Sequence, residues 1–233
     1  MIIVFAGTSD AREYVAQLAQ RGEKLVVCTA TAYGASLIAP HKNIVEISGN
    51  SLDKKGIAQL VASRKADSVV DATHPYALEV SLNIRATCDQ LGVPLERRVR
   101  EGFLEKSEDL EFADDYTSAA KALANTSGKI LLTIGSRRLE PFAKNIEISR
   151  MIIRVLPTAK VLAHCESLGF APAQIIAMQG PFSQELNDSI YEDYDIVHMV
   201  TKDSGKQGGV AQKVLPAIER GIHVVVIKRP EED

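Results

Sequence analysis

One strand-and-helix pattern occurs twice in this chain. MIIVFAGTSDAREYVAQL and KILLTIGSRRLEPFAKNI each combine an apolar strand, a glycine with a hydroxyl residue and a helical pattern. Gly7 and Gly135 lie 128 residues apart, and the same offset relates Thr73 in DSVVDATHPY to Thr201 in DIVHMVTKDS. IVEISG matches IIAMQG between these two pairs of segments, and LGVPLERR matches RGIHVVVIKR after them. Four ordered matches that include loop residues predict an internal duplication.

The apolar runs of the first half show no polar alternation, which indicates strands buried on both faces of a parallel sheet. Predicted strands cover 2–5, 25–28, 44–47, 68–71 and 93–95, and predicted helices cover 10–20, 52–62 and 77–91. The expected fold is α/β, with two Rossmann-like, doubly wound, five-stranded domains that face one another. They should span 1–100 and 129–233, joined by a linker, 101–128, that contains an acidic stretch and a short helix.

Charge and composition narrow the range of partners. The net charge of −3 gives no reason to expect nucleic acid or an anionic membrane surface. The chain has three cysteines, Cys28, Cys88 and Cys165, which is an odd number, and they are not spaced as metal ligands. We therefore expect buried, reduced thiols. No run approaches the ~18 apolar residues of a membrane span, and no signal sequence is recognisable. A cytoplasmic protein is expected.

The first-half loops should meet at the carboxyl ends of the strands, where open parallel sheets bind ligands. Gly7 permits a tight turn, Thr8 or Ser9 can cap the next helix, and its amides suit a phosphate. The full G-x-G-x-x-G fingerprint is missing, so a capped turn without ligand explains this loop equally well. After the second strand, CTATAYG offers neither an acid for a ribose diol nor an Arg for a 2′-phosphate. The missing cation favours NADH slightly over NADPH.

The third loop, DATHPYA, places a histidine directly after a buried strand. A structural explanation exists, in which Pro75 begins the next helix and Thr73 caps it. His74 is an unusual choice for a purely structural turn, so a functional role is favoured.

The second-half loops are rich in cations. Arg137 and Arg138 stand at a helix start, where the dipole disfavours them unless an anion binds. Arg154 interrupts an apolar strand and should have a specific partner, and TKDSGKQGG resembles an anion nest. Solvated lysines are the ordinary alternative for Lys206. Such a group suits a multiply carboxylated ligand. No nucleophile–base pair, metal cluster or P-loop lysine is recognisable, which favours chemistry carried by a cofactor.

Taken together, these motifs resemble the precorrin-6A reductases, including the cobalt-precorrin-6A reductases of the anaerobic cobalamin route. GTSDAR, DATHPYA, GSRRLEPF, RVLP, MQGPFS, TKDSGKQGG and the terminal KRP carry the resemblance, in order, along nearly the whole chain. It implies hydride transfer from NADH or NADPH to a ring double bond of precorrin-6A, with no protein-bound metal. It also implies two Rossmann-like domains with exchanged terminal strands. TATAYGA in place of a TSLAGR-like loop resembles the cobalt-dependent type.

The resemblance implies roles for particular residues. By position, the coenzyme falls to the first half, at Gly7, Thr8, Ser9, Arg12, Thr29 and Asp71. The substrate falls to the second half, at Arg137, Arg138, Arg154, Lys202, Ser204 and Gly205. His74 and Thr73 are candidates for proton delivery, with solvent as the alternative donor. The expected partner is the tetrapyrrole, with at most transient contact with neighbouring pathway enzymes.

Two other functions remain open from the sequence. One is a tetrapyrrole- or nucleotide-binding carrier or sensor with the same duplicated fold and no catalysis. The other is a dehydrogenase of small metabolites, which would not need an extended group of cations.

Overall fold

The computed structural model describes residues 1–99, 102–104, 107–205 and 208–230. The chain divides into two compact units, 1–100 with 230–233, and 101–229. Each unit is built on one parallel sheet with helices between successive strands.

The first unit has a five-stranded sheet in the order β3-β2-β1-β4-β5. Its strands are β1 (Ile2–Ala6), β2 (Leu25–Cys28), β3 (Ile44–Ser48), β4 (Ser68–Ala72) and β5 (Leu95–Arg97). Its helices are α1 (Ser9–Gln20), α2 (Ala32–Ser36), α3 (Lys54–Ser63) and α4 (Leu78–Leu91). The order reverses between β1 and β4, which makes this pair the topological switch point of the sheet.

Apolar residues on both faces hold this sheet in place. Val4, Val27 and Val70 pack with the buried side of α1, which includes Val15 and Leu18. The alternating residues, among them Ile3, Phe5, Val26 and Val69, pack on the other face with Ile57 of α3 and Ile84 of α4. Successive side chains of a strand point to opposite faces. Continuous apolar runs are therefore what a sheet covered on both sides requires.

The second unit has a six-stranded sheet in the order β6-β11-β10-β7-β8-β9. Its strands are β6 (Leu110–Ala113), β7 (Lys129–Leu132), β8 (Met151–Val155), β9 (Ile175–Ala177), β10 (Ile196–Lys202) and β11 (His223–Ile227). Its helices are α5 (Tyr116–Ala124), α6 (Glu140–Asn145), α7 (Ala159–Ser167), α8 (Gln184–Asp193) and α9 (Ala211–Glu219). From the other end, β9-β8-β7-β10-β11 repeats the order of the first sheet, so the predicted fold class is confirmed.

The segment 101–128 contains more than a linker and a short helix. Besides helix α5 it contributes β6, which pairs in parallel with β11 through Val224 opposite Leu110. The acidic surroundings of LEFA conceal this strand in the sequence, because an edge strand needs apolar residues on only one side.

The exchange of terminal strands implied by the resemblance is not present in the strand pairing of the described residues. β5 pairs with β4 of its own sheet, and β11 pairs with β10 of its own sheet. The last strand of each unit therefore pairs within the sheet of that same unit.

The two halves also differ in register at their fourth strands. Ile2 of β1 lies opposite Ser68, whereas Ile130 of β7 lies opposite His198. The offset is thus 128 residues for the first strands and 130 for the fourth. A register shift between Ile196 and His198 accounts for part of this difference.

The equivalence of Thr73 and Thr201 expected from the repeat is therefore wrong by two residues. In the strand register, Asp203 stands where Thr73 stands in the first half. The repeat identifies the correct strands but not the correct loop residues.

Burial agrees with the expectation for the cysteines. Cys28, Cys88 and Cys165 are buried free thiols, and burial raises the pKa of Cys28 to about 12. Among the residues that the structure describes, no helix has the length and apolar character needed to cross a membrane.

Candidate functional site

The carboxyl edge of the first sheet brings the predicted loops after β1 and β4 together. Thr8 caps α1, its hydroxyl accepting a hydrogen bond from the Ala11 amide at 3.2 Å. Gly7 lies against the loop that follows β4, since a β-carbon at Gly7 would stand 3.3 Å from the backbone nitrogen of His74. The glycine thus permits a close approach of two backbones at the switch point, beside the amide-rich start of α1.

A cavity of about 360 Å³ opens at this edge of the first unit. Among the described residues, its walls are formed by Asp10, Ala11, Ala72, Glu96, Arg97, Arg98 and Val99. It therefore combines the start of α1, the end of β4 and the end of β5. Two acidic and two basic residues line it, and Arg98 Nη1 lies 2.8 Å from Glu96 Oε1, so these residues can supply acceptors for hydroxyl groups and donors for an anion.

Asp71 anchors the edge from below. Its side chain is 1% exposed and its Oδ1 accepts a hydrogen bond from the Thr73 amide at 3.0 Å. Arg97 Nη1 lies 3.2 Å from that same oxygen and also donates to the carbonyls of Asp71 and Thr73, each at 3.2 Å. Asp71 therefore holds the β4 loop and orients Arg97 at the cavity wall.

Thr73 does not cap the following helix. Helix α4 begins at Leu78, its N-cap residue is Ala77, and no side chain caps it. The Thr73 hydroxyl instead lies 3.0 Å from the Ser81 hydroxyl and 3.4 Å from Arg97 Nη1. The expected structural role, with Pro75 as the helix start, is therefore wrong, and Thr73 belongs to the Asp71–Arg97 network.

His74 lies partly exposed in the loop that Gly7 contacts. Its Nδ1 accepts a hydrogen bond from the Tyr76 amide at 3.3 Å, and the two rings are 5.5 Å apart. An Nδ1 that accepts leaves Nε2 as the nitrogen that carries the proton in the neutral ring.

The other predicted coenzyme residues have less direct positions. Ser9 opens α1 and is partly buried, and Arg12 lies one turn further, its amide donating to the Thr8 carbonyl. Thr29 is buried at the end of β2, where its hydroxyl bonds the carbonyls of Thr31 and Ser48 at 2.9 and 3.1 Å. Its hydroxyl is engaged in shaping the β2 loop.

The carboxyl edge of the second sheet gathers a group of exposed and partly exposed cations. Arg137 and Arg138 lie in a 3₁₀ helix, Ser136–Arg138, that follows β7. Lys202 ends β10, the strand next to β7. Burial, and then the charges of Arg138 and Arg137, lower the pKa of Lys202 to about 8. We refer to Arg137, Arg138 and Lys202 as the outer cation group.

Arg154, near the end of β8, is 8% exposed and held by neutral partners. Its Nη1 donates to Asn187 Oδ1 at 2.7 Å, and its guanidinium lies 4.1 Å from the centre of the Phe182 ring. Burial lowers its pKa to about 10. Asn187 is itself fixed by donating to the carbonyls of Ser183 and Gln212. MQGPFS contributes this aromatic contact and the Ser183 cap of α8.

The loop after β10 is organised by Asp203. Its carboxylate accepts hydrogen bonds from the amides of Phe103, Leu104 and Gly205, at 3.0 to 3.3 Å. Arg229 Nη2 lies 3.5 Å from it. Gly205 adopts a positive φ of 72°, and the Ser204 hydroxyl lies 3.5 Å from the Gly208 carbonyl. Lys206 lies outside the described residues.

The sequence patterns miss three residues of these edges. Arg97 ends an unremarkable strand, and Asp203 is hidden between Lys202 and Ser204. Lys213 of α9 is only 6% exposed. Helical periodicity contains a signal for it, because Val210, Val214 and Ala217 define a buried face on which Lys213 also falls.

Within the described residues no cluster of three or more His, Cys, Asp or Glu side chains could hold a metal ion. The two edges offer different chemistry. The first unit presents a helix start, acceptors and two arginines around a cavity, and the second presents cations that suit carboxylates.

Comparison with known proteins covers the whole chain. Residues 1–233 match the family described as "Precorrin-6x reductase CbiJ/CobK". The cobalt-precorrin-6A reductase of Priestia megaterium is 33% identical over 234 residues, which are 99% of this chain and 91% of the relative. That of Salmonella typhimurium is 33% identical, covering 98% of this chain and 87% of the relative. The precorrin-6A reductase of Rhodobacter capsulatus is 26% identical, covering 98% and 88%.

A solved structure described as CobK precorrin-6A reductase shares the fold. Its TM-score is 0.80 at 24% sequence identity, covering 100% of this chain and 89% of the other. This likeness extends to both parallel sheets.

Proposed function

The chain belongs to the precorrin-6x reductase family and reduces precorrin-6A in cobalamin biosynthesis, and we propose that a reduced nicotinamide, held by the first unit, is the reductant. The observation that most directly supports placing the coenzyme on the first unit and the macrocycle on the second is the contrast between the carboxyl edges of the two sheets. The first has a capped helix start beside a cavity, and the second has a group of cations. A non-catalytic carrier is not favoured, because the relatives that match along the whole chain are reductases.

The residues of the first unit fit a nicotinamide dinucleotide. The start of α1 offers backbone amides and the positive end of a helix for a pyrophosphate, and Gly7 leaves room where a side chain would close the approach. Arg97 and Arg98 line the cavity and can donate to phosphate oxygens, while Asp10 and Glu96 can accept from ribose hydroxyls. Ser9 and Arg12 extend the same helix start, and Thr29 and Asp71 shape the neighbouring loops.

A reduced nicotinamide coenzyme, when bound, would supply a hydride to a ring double bond of the macrocycle and be oxidised in the process. The contribution of this chain is then mainly to position the reactants. His74 lies beside Gly7, and we assign its protonated ring, assisted by Thr73, to deliver from Nε2 the proton that balances the hydride, which leaves the ring neutral. Solvent is the alternative donor.

We assign the macrocycle to the second unit. Arg137, Arg138 and Lys202 present cationic groups at one edge, and Arg154 adds a guanidinium without a carboxylate partner among the described residues. Ser204 and Gly205 lie in the same loop as Lys202. The Ser204 hydroxyl can donate to a carboxylate, and Gly205 shapes the loop, because its amide donates to Asp203. Acidic side chains of the tetrapyrrole would satisfy these cations, and Arg is well suited to bind them in a bidentate manner.

We further propose NADH as the coenzyme and cobalt-precorrin-6A as the form reduced. Residues 29–35 contain no basic side chain that could bind a 2′-phosphate. The relatives of Priestia megaterium and Salmonella typhimurium, both 33% identical, are cobalt-precorrin-6A reductases.

The direct test is anaerobic oxidation of NADH, and separately NADPH, with cobalt-precorrin-6A or its metal-free form. We expect turnover with NADH and the cobalt form. Binding of the macrocycle without consumption of either coenzyme would support a carrier instead. Preference for NADPH would contradict the interpretation of residues 29–35.

Two variants test the division between the units. Arg138→Gln should raise the KM for the macrocycle and leave the KM for the coenzyme unchanged, and Arg98→Gln should do the opposite. The reverse result would exchange the two assignments. His74→Ala with full activity would leave solvent as the proton donor.

A further inference from the structure

Lys213 is a buried amine that the proposed chemistry does not yet use. It lies in the first turn of α9 and is 6% exposed. Within the part of the chain that the structure describes, no hydrogen bond or ion pair reaches its ammonium, and Thr87 Oγ1 is the one fully buried side-chain atom there that lacks a partner, so the Lys213 nitrogen keeps some exposed surface. Burying an ammonium without a partner is costly, so such a group either loses its proton or is matched by an anion.

The surroundings of Lys213 oppose its positive charge. Burial has the largest effect, and Arg154 and Lys202 add repulsion, so that the pKa of Lys213 falls to about 7. The start of α9 adds the positive end of a helix dipole. From α8, Tyr191 donates to the Lys213 carbonyl at 2.6 Å, and burial raises the pKa of this phenol, so it remains neutral.

Asp203 is the acid that favours the charged form, but its carboxylate is already committed. Three backbone amides and Arg229 surround it. Arg154, the cation whose charge lowers the Lys213 pKa most, likewise has only an amide oxygen and an aromatic ring as partners among the described residues. Asn187 links the two cations, because it accepts from Arg154 Nη1 at 2.7 Å and donates to the carbonyl of Gln212, the residue before Lys213, at 3.1 Å. Both cations are more than nine-tenths buried, and no carboxylate of the described residues is paired with either.

We propose that Lys213 and Arg154 form an inner anion subsite that takes one carboxylate of the tetrapyrrole, and that Lys213 gains a proton from solvent as this carboxylate binds. The proposal rests on the proposed function, because it names the part of the substrate that this region receives. The inner anion subsite differs from the outer cation group in that its charge is completed only on binding.

The consequence is a proton-linked affinity. The free protein must protonate Lys213 before or during binding, and the bound carboxylate then stabilises the ammonium. As the pH rises from 6 to 8, the loss of the Lys213 proton in the free protein should weaken binding of the macrocycle about tenfold. Binding should take up about one proton at pH 8 through Lys213 and almost none at pH 6.

The test is calorimetric titration of the full chain with cobalt-precorrin-6A, anaerobically and without coenzyme, in buffers of different ionisation enthalpy. Lys213→Arg keeps the charge but does not titrate, so it should lose the tenfold pH effect and the associated proton uptake while binding well at pH 8. Lys202 contributes equally to wild type and variant, and the difference between them isolates Lys213. Lys213→Met should bind weakly at every pH, and Lys121→Met, exposed on α5, should behave as wild type.

Equal pH dependence and proton uptake in wild type and Lys213→Arg would overturn the inference while leaving reductase activity intact. Proton uptake that accompanies NADH or NADPH instead of the macrocycle would assign the subsite to a coenzyme phosphate and also overturn it. A wild-type protein that neither binds nor reduces the macrocycle would refute the proposed function together with the inference. NMR titration of lysine labelled at Cε measures the Lys213 pKa in wild type and needs no variant to fold. It should rise by about two units or more on binding.

Discussion

Gly7 and His74 belong to loops after two different strands, yet the His74 nitrogen lies only 3.3 Å from the point where a Gly7 β-carbon would stand. The Cα of Thr73 is 3.4 Å from the same point. Both neighbours are backbone atoms at the end of a buried strand, so they cannot move aside as the end of a flexible side chain could. The close approach of the loops that follow β1 and β4 therefore requires the absence of a side chain at residue 7.

Gly7→Ala should reduce coenzyme binding more than stability. The added methyl group must push the β4 loop away from the start of α1, by a few tenths of an ångström. We expect about tenfold weaker binding of NADH, because phosphate contacts at a helix start depend on close approach. The free energy of unfolding should fall by about 1 kcal/mol. Fluorescence titration and urea unfolding measure the two quantities.

Gly22→Ala is the matched control. Gly22 lies after α1, has a φ of 92° and has no neighbour within 4 Å of an added β-carbon. Alanine there is strained, so stability should fall by about 1 kcal/mol. Coenzyme affinity should not change. If both variants lost affinity equally, the effect of Gly7→Ala would be attributable to stability alone.

Asp71→Asn tests the network below the cavity. The amide can still accept from Thr73, but the buried charge that holds Arg97 is lost. We expect a loss of about 2 kcal/mol in the free energy of unfolding, together with weaker coenzyme binding as Arg97 loses its orientation. Restoration of wild-type stability in the double variant Asp71→Asn with Arg97→Met would show that the unpaired guanidinium causes the loss. If Asp71→Asn is as stable as wild type, the ion pair contributes nothing.

Arg154 and Arg150 allow a comparison of two arginines near opposite ends of β8. Arg154→Met removes the free-energy cost of burying a cation. This gain is offset because Asn187 Oδ1 loses its hydrogen-bond donor. Stability should change by less than about 1 kcal/mol. Affinity for cobalt-precorrin-6A should fall at least about tenfold, because the substrate carboxylate loses the arginine with which we propose it pairs.

Arg150→Met should give the opposite result. Arg150 donates to the Gly128 carbonyl and to the Thr126 hydroxyl, each at 3.0 Å, before β8 begins. Its loss should lower the free energy of unfolding by about 1 kcal/mol and leave substrate affinity unchanged. Thermal unfolding and substrate titration of both variants give the comparison. A fall in stability without a fall in affinity for Arg154→Met would assign that arginine a structural role.

Much of the fold can be predicted because buried strands and glycine turns leave strong sequence signals. Four of the five strands of the first half appear as apolar runs close to their observed bounds, whereas the fifth, predicted at 93–95, is observed at Leu95–Arg97. β6 escapes because only one of its faces needs to be apolar, and α2 escapes because AYGAS is short and contains glycine. The strand order of the second half follows from the duplication, but its register does not, since a bulge changes spacing without changing composition.

The candidate site is less predictable because it depends on partners distant in sequence. Cations at loop positions are visible, and so is the cap at Thr8. That Arg97 is held by Asp71, or that Asp203 binds the amides of Phe103 and Leu104, requires the three-dimensional arrangement. Lys213 resembles an ordinary surface lysine until the apolar face of α9 is traced.

The environment of His198, which lies away from the candidate site, predicts how the free energy of unfolding depends on pH. His198 lies near the start of β10, with Nε2 2.9 Å from the Ser127 carbonyl and Nδ1 3.3 Å from His223 Nδ1. Burial first, and then the charges of His223 and Arg150, lower its pKa from 6.5, while the Ser127 carbonyl opposes this. The unfolded chain therefore binds the proton more readily, and the free energy of unfolding should fall as the pH drops from 6.5 towards the lower folded pKa.

His198→Gln retains a donor for the Ser127 carbonyl and does not titrate, so its unfolding free energy should fall less than that of wild type over this pH range. Urea unfolding at intervals of half a pH unit, from pH 7.5 to 5, measures the difference. His164→Gln, an exposed change on α7, should retain the wild-type profile. Both variants should keep the wild-type KM for the macrocycle, because His198 lies at the amino end of its strand and Lys202 at the carboxyl end. Identical profiles for His198→Gln and wild type would mean that other groups govern the loss of stability in acid.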